Sequence, residues 1–196
     1  MQTISEIAHA LPLSVKRSRT VRWIWQEWKN RRNERIVKKL TSSFSNPDEF
    51  MKYVEKIGYT SLLQYHGNRT GARQVFQSLF RALHINFREA SFLDLGPGYG
   101  DSLDLARESG ATRVEFVDYD PYVVAFNILK GFKGYRLDYL VGKGLAPLRG
   151  NEYDIIMSKG SINADRFNRR APDIIPFPAW LSQVEDLASP NGQIII

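Results

Sequence analysis

The stretch Phe92-Leu93-Asp94-Leu95-Gly96-Pro97-Gly98-Tyr99-Gly100 constrains the fold of this chain more than any other. An apolar run interrupted by one acid reads as a buried strand, and three glycines at alternate positions then let the backbone turn sharply and come close to a ligand. Asp101–Ser109 follows as a helix whose first N–H groups face whatever the loop holds. Strand, glycine loop and helix in that order open a parallel βαβ unit. The pattern continues to the end of the sequence. Short apolar runs at Ser91–Leu95, Arg113–Val117, Tyr135–Val141, Tyr153–Met157 and Gln193–Ile196 predict strands. Asp101–Ser109, Pro121–Lys130 and Phe177–Ala188 predict the helices between them, with Gly110 and Gly131 where helices stop. Such alternation specifies a parallel sheet covered on both faces.

Before Ser91 the pattern is helical. Val21, Ile24, Trp25 and Trp28 recur at i, i+3, i+4 and i+7, and Ile36, Val37 and Leu40 continue the stripe. Asn46-Pro47-Asp48-Glu49 starts a second helix, carrying Phe50, Tyr53, Val54 and Ile57 and closed by Gly58. A third is predicted over Thr70–Leu83, with Val75, Leu79 and Leu83 on its buried face. The expected division is a helical extension over residues 1–85 and an α/β domain over 86–196.

Charge follows the same division. The net charge is +6, yet residues 16–39 hold ten Lys and Arg against Glu27 and Glu34, so the rest of the chain is slightly acidic. A basic helix with tryptophans on one face suits the interfacial plane of an anionic membrane or a membrane protein, and residues 16–40 are the candidate contact. A nucleic-acid partner is less favoured, because the helix concentrates its tryptophans, Trp25 and Trp28, on the apolar stripe, with Trp23 off it. The absence of cysteine excludes thiol catalysis, disulfide frameworks and thiolate metal sites, and no metal is expected. The expectation is a cytoplasmic protein, peripheral at the inner membrane face where the basic helix engages it.

Asp118 is the second anchor. It ends the next strand, 22 residues beyond Gly96, where a carboxylate can accept both hydroxyl hydrogens of a ribose. The dinucleotide fingerprint requires Gly or Ala three positions after the second glycine, but here that position is Asp101. The spacing Asp-x-Gly-x-Gly-x-Gly instead resembles the S-adenosyl-L-methionine loop of class I methyltransferases, over about Ser91 to Ile196. The resemblance implies a Rossmann-like doubly wound parallel sheet and S-adenosyl-L-methionine as the cofactor. It implies that Asp94 braces the loop near the methionine amino group, that Gly96, Gly98 and Gly100 line methionine and ribose, and that Asp118 binds the ribose. Asp120-Pro121 looks like the family's next helix start, with Tyr119 or Tyr122 placed to stack on adenine. The family's acid after the third strand is replaced here by Val141-Gly142-Lys143-Gly144-Leu145, leaving backbone groups of Gly144 and Leu145 as the adenine contacts.

In this family the loop after the fourth strand reaches the transferred methyl. Here it lacks the Asn/Asp-Pro-Pro-Tyr/Phe signature of adenine and glutamine N-methyltransferases. Lys159, Asn163 and Arg166 are the candidate acceptor contacts, and Arg166, Arg169 and Arg170 suit anionic groups. The cluster Gln64–Thr70 lies before the predicted helix of 70–83. In similar enzymes that region folds over the cofactor, which makes His66 the candidate base and Arg69 the candidate partner of the methionine carboxylate. The expected function is methyl transfer to a small-molecule, glycan or lipid-linked acceptor. The alternatives are a nucleic-acid methyltransferase guided by the basic segment and a catalytically idle cofactor-binding scaffold. The family's sheets have seven strands and five are legible here, so a continuation beyond Ile196 with two further strands is also expected.

Overall fold

A computed structural model of the chain describes residues 19–67, 69–158 and 174–196. Among the described residues four helices come first: α1 (Arg19–Ser43), α2 (Pro47–Lys56), α3 (Thr60–Gly67) and α4 (Arg69–Ala82). The α/β part then runs β1 (Ser91–Leu95), α5 (Asp101–Glu108), β2 (Arg113–Asp118), α6 (Pro121–Leu129) and β3 (Lys133–Arg136). A 3₁₀ turn (Ala146–Leu148), β4 (Tyr153–Met157), α7 (Phe177–Glu185) and β5 (Ala188–Ile195) follow among the described residues. All strand pairs are parallel and the order is β3-β2-β1-β4-β5. The chain builds outward from β1 in one direction and then restarts from β1 in the other. The crevice between the carboxyl ends of β1 and β4 is the place where a doubly wound sheet takes its ligand.

Three apolar clusters hold the elements. Phe92, Phe116 and Ile155 project from one face of the sheet onto Leu103 and Ala106 of α5, Val124 of α6 and Phe80 of α4. Leu93, Val117, Tyr153 and Ile156 project from the other onto Trp180 and Val184 of α7 and onto Tyr139, Leu140 and Leu148. The third cluster joins Leu40, Phe50, Val54 and Leu62 of the N-terminal helices to Val123 and Phe126 of α6 and to Tyr99. Helices α1 to α3 therefore pack against the outside of α6, while α4 packs against α5. α1 lies along α6 and reaches β3, where Arg136 donates to Asn30 Oδ1 at 2.6 Å.

Local signals explain several boundaries. Asn46 caps α2 by accepting from the Glu49 amide at 2.9 Å, while Glu49 reaches back to the Ser45 amide. This is a reciprocal cap, and Pro47 sits where its missing N–H costs nothing. Asp120 caps α6 in the same way, accepting from Tyr122 N at 2.9 Å and Val123 N at 3.4 Å.

Four expectations are corrected. α4 does not bury Val75, nor is Leu83 just beyond its end buried (47% and 43% exposed); Phe80 meets the rings of Phe87 and Phe92, and Phe76 stacks on Phe80. A separate helix, α3, occupies part of the polar cluster of 64–70. The third strand is Lys133–Arg136 and not Tyr135–Val141: Tyr139 and Leu140 are buried under α7 without joining the ladder. α7 ends at Glu185, and β5 starts at Ala188 opposite Tyr153 before resuming with Gln193 opposite Ile155, so residues 189–192 loop out between the two pairings. In α1, the apolar residues Ile36, Val37 and Leu40 pack onto the body of the protein, while Lys29, Arg31, Arg32, Arg35, Lys38 and Lys39 face outward.

Candidate functional site

Two buried acids stand side by side at the carboxyl ends of β1 and β2. Asp94 is 2% exposed and accepts a hydrogen bond from Ser102 Oγ in the first turn of α5. Its burial pushes its pKa up to about 7; the Ser102 hydroxyl opposes the rise and the charge of Asp118 adds to it. Asp118 accepts the Asp120 amide at 2.9 Å, so one oxygen organises the turn into α6. Asp120 itself also accepts the Tyr59 hydroxyl of the N-terminal part at 2.8 Å, and burial together with that bond pushes the Tyr59 hydroxyl pKa far up.

The glycine loop lies between these acids. Gly96, Gly98 and Gly100 have φ of 91°, 54° and 79°, a region that side chains other than glycine enter at a cost. Gly96 N donates to Val117 O at 2.8 Å, which carries the β1–β2 pairing into the loop. Gly100 is the N-cap of α5. A Cβ there would lie 2.0 Å from Asn127 Oδ1 and 3.0 Å from Lys130 Nζ, so this glycine admits the end of α6 and not a ligand alone. Neither Asn127 nor Lys130 is identifiable from the loop motif, and no local pattern signals them.

Asp94, Gly96, Gly98, Gly100, Asp118 and Tyr119 meet at one sheet edge, with Tyr119 44% exposed beyond the end of β2. The His66 ring is 5.3 Å from the Tyr99 ring, which puts this exposed histidine beside the loop. Tyr122 is not placed for adenine: its ring stacks on Tyr59 at 4.0 Å. The amides of Gly144 and Leu145 are engaged within the protein. The Leu145 amide donates to Gln183 Oε1 at 2.7 Å and the Gly144 amide to Val141 O at 3.1 Å, while the Leu145 side chain is in the core. With β3 ending at Arg136, the acid that follows the third strand is Asp138, half-buried on the way from that edge. Arg69 opens α4, but its side chain is outside what is described, and Lys159, Asn163, Arg166, Arg169 and Arg170 lie outside the described residues.

No family model matches the sequence, and no curated protein matches it. Several solved structures are similar. One is magnesium protoporphyrin IX methyltransferase from Synechocystis PCC 6803 with bound SAH, at 17% identity over 70% of this chain and 66% of that one, with a TM-score of 0.47. Another is the DhpI-SAM-HEP complex, at 17% identity over 71% of this chain and 62% of the other, also with a TM-score of 0.47. A putative sarcosine dimethylglycine methyltransferase from Galdieria sulphuraria is 18% identical over 63% and 44%, with a TM-score of 0.45. The chain thus spans 44% to 66% of the length of these proteins. The parallel order β3-β2-β1-β4-β5, with helices on both faces and the glycine loop between β1 and α5, is a Rossmann-like doubly wound fold.

Proposed function

We propose that the chain binds S-adenosyl-L-methionine at the β1–β2 edge and transfers its methyl group to a small-molecule, glycan or lipid-linked acceptor. The observation that carries this reading is the pair Asp94 and Asp118, both buried, at the carboxyl ends of adjacent strands on either side of a positive-φ glycine loop. The donor set fits the group. A carboxylate isolated from water accepts strongly from a cationic amine or from vicinal hydroxyls, and the amides at the start of α5 face an anion.

In this reading Asp118 accepts the ribose hydroxyls, Asp94 faces the amino group, the first turn of α5 faces the carboxylate, and Tyr119 covers adenine. Asp138, as the acid beyond β3, is the partner for the adenine amino group. When bound, the cofactor supplies an electrophilic methyl on a sulfonium. The work left to the protein is to align a nucleophile and exclude water. His66, exposed beside Tyr99, is the group that takes a proton from a hydroxyl acceptor, and Arg166 pairs with an anionic part of it.

Calorimetric titration with SAH tests the reading. Asp118→Ala removes the acceptor of two charge-assisted hydrogen bonds and weakens binding by roughly 2–4 kcal/mol. Equal affinity of the variant and the parent chain would remove Asp118 from the site, and no binding by the parent chain would remove the cofactor reading.

A further inference from the structure

α6 is tied to the glycine loop by polar bonds as well as by packing. Asn127 is fully buried and donates from Nδ2 to Gly98 O at 2.9 Å and to Val123 O of its own helix at 3.0 Å. Lys130 caps the end of α6, and its side chain is only 10% exposed. Its ammonium donates to Tyr99 O at 3.0 Å, to Gly100 O at 3.4 Å and to Asp104 Oδ2 at 2.6 Å. Those three acceptors match the three donors of an ammonium group. The rings of Tyr99, Phe126 and Phe132 surround Nζ at 5.5–5.6 Å and favour the cation further.

The consequence concerns the direction of the loop peptides. The carbonyls of Gly98 and Tyr99 are drawn toward α6 by side chains 29 and 31 residues away, while the Gly100 carbonyl, which Lys130 also reaches, accepts the Asp104 amide of α5 at 3.0 Å. In a trans peptide the N–H following a carbonyl points the opposite way. The Tyr99 N–H is therefore turned away from α6, Gly100 N is engaged with Pro97 O at 2.9 Å, and the Asp101 N–H is a first-turn N–H of α5. N–H groups so directed at the start of a helix favour an anion, and the single anionic group of the proposed cofactor is its carboxylate.

We propose that Asn127 and Lys130 are positioning residues for the carboxylate end of the ligand: they hold the carbonyls of Gly98 and Tyr99 off it and turn the Tyr99 amide toward it, beside the first-turn amide of Asp101. The inference rests on the cofactor reading above and adds two residues from a different element. It has a signature that general loosening of the fold lacks. Adenosine keeps the ribose hydroxyls that Asp118 would accept but has no carboxylate, so the clamp matters for SAH and not for adenosine.

The test is calorimetry of the full chain with SAH and with adenosine, for the parent, Lys130→Met and Asn127→Ser, alongside thermal melting of each. Asn127→Ser leaves the Lys130–Asp104 pair intact, so it supplies the answer if Lys130→Met does not fold. The expected result is a Kd for SAH raised tenfold or more, with the Kd for adenosine within twofold of the parent. Equal loss for both ligands, or no loss for SAH, overturns the positioning role while leaving the cofactor reading in place. A parent chain that binds neither ligand overturns both.

Discussion

Asp94 is held where its charge costs stability, and the cost has a pH dependence that can be measured. Its pKa rises from an unfolded value of 3.8 to about 7 because burial strips water from the carboxylate, with Asp118 adding to the rise. The folded state therefore holds a proton that the unfolded state has released, so this group's contribution to stability is complete below pH 4 and is lost as pH rises through about 7. At 1.36 kcal/mol for each tenfold in proton affinity, the full loss is about 4 kcal/mol, of which about 2.5 kcal/mol falls between pH 5 and pH 8. Asp94→Asn keeps an acceptor for Ser102 but does not ionise. In urea denaturation the stability of the variant relative to the parent should rise by about 2–3 kcal/mol from pH 5 to pH 8, with the larger advantage at pH 8. The same substitution should weaken SAH binding, the exchange of stability for function expected when a buried charge is retained for a ligand. A stability difference that does not change with pH, or one that shrinks toward pH 8, would refute the reasoning.

Gly100→Ala should lower the melting temperature, because it adds about 1–2 kcal/mol of backbone strain at a φ of 79° and pushes a methyl group into Asn127, which its bonds to Gly98 and Val123 hold in place. Tyr59→Phe keeps the ring that stacks on Tyr122 but removes the bond to Asp120, and urea denaturation should show a loss of about 1–2 kcal/mol.

The local parts of the site are written locally. A strand of Phe92, Leu93 and Leu95, a loop of glycines and an acid ending the next strand each depend on neighbours a few residues away, so their order and type are legible without the fold. The same holds for the caps, where Asn46 and Asp120 bond amides two or three positions on. What tertiary structure decided was anything that turned on which of two similar surfaces finds a partner. Val75, Leu79 and Leu83 and the neighbouring pair Phe76 and Phe80 are both helix stripes; the rings of Phe87 and Phe92, arriving from beyond the helix, selected the second. The run from Leu137 to Val141 is as apolar as a strand, but apolarity records burial and not pairing. Tyr139 and Leu140 fill space under α7 while the ladder uses Lys133–Arg136, where Gly134 leaves room for the Phe116 ring. The hold of Asn127 and Lys130 on the glycine loop had no sequence signal for the same reason: in sequence they are unremarkable residues near a helix end. Only the packing of α6 beside α5 brings an amide and an ammonium group within bonding distance of three carbonyls about thirty residues earlier.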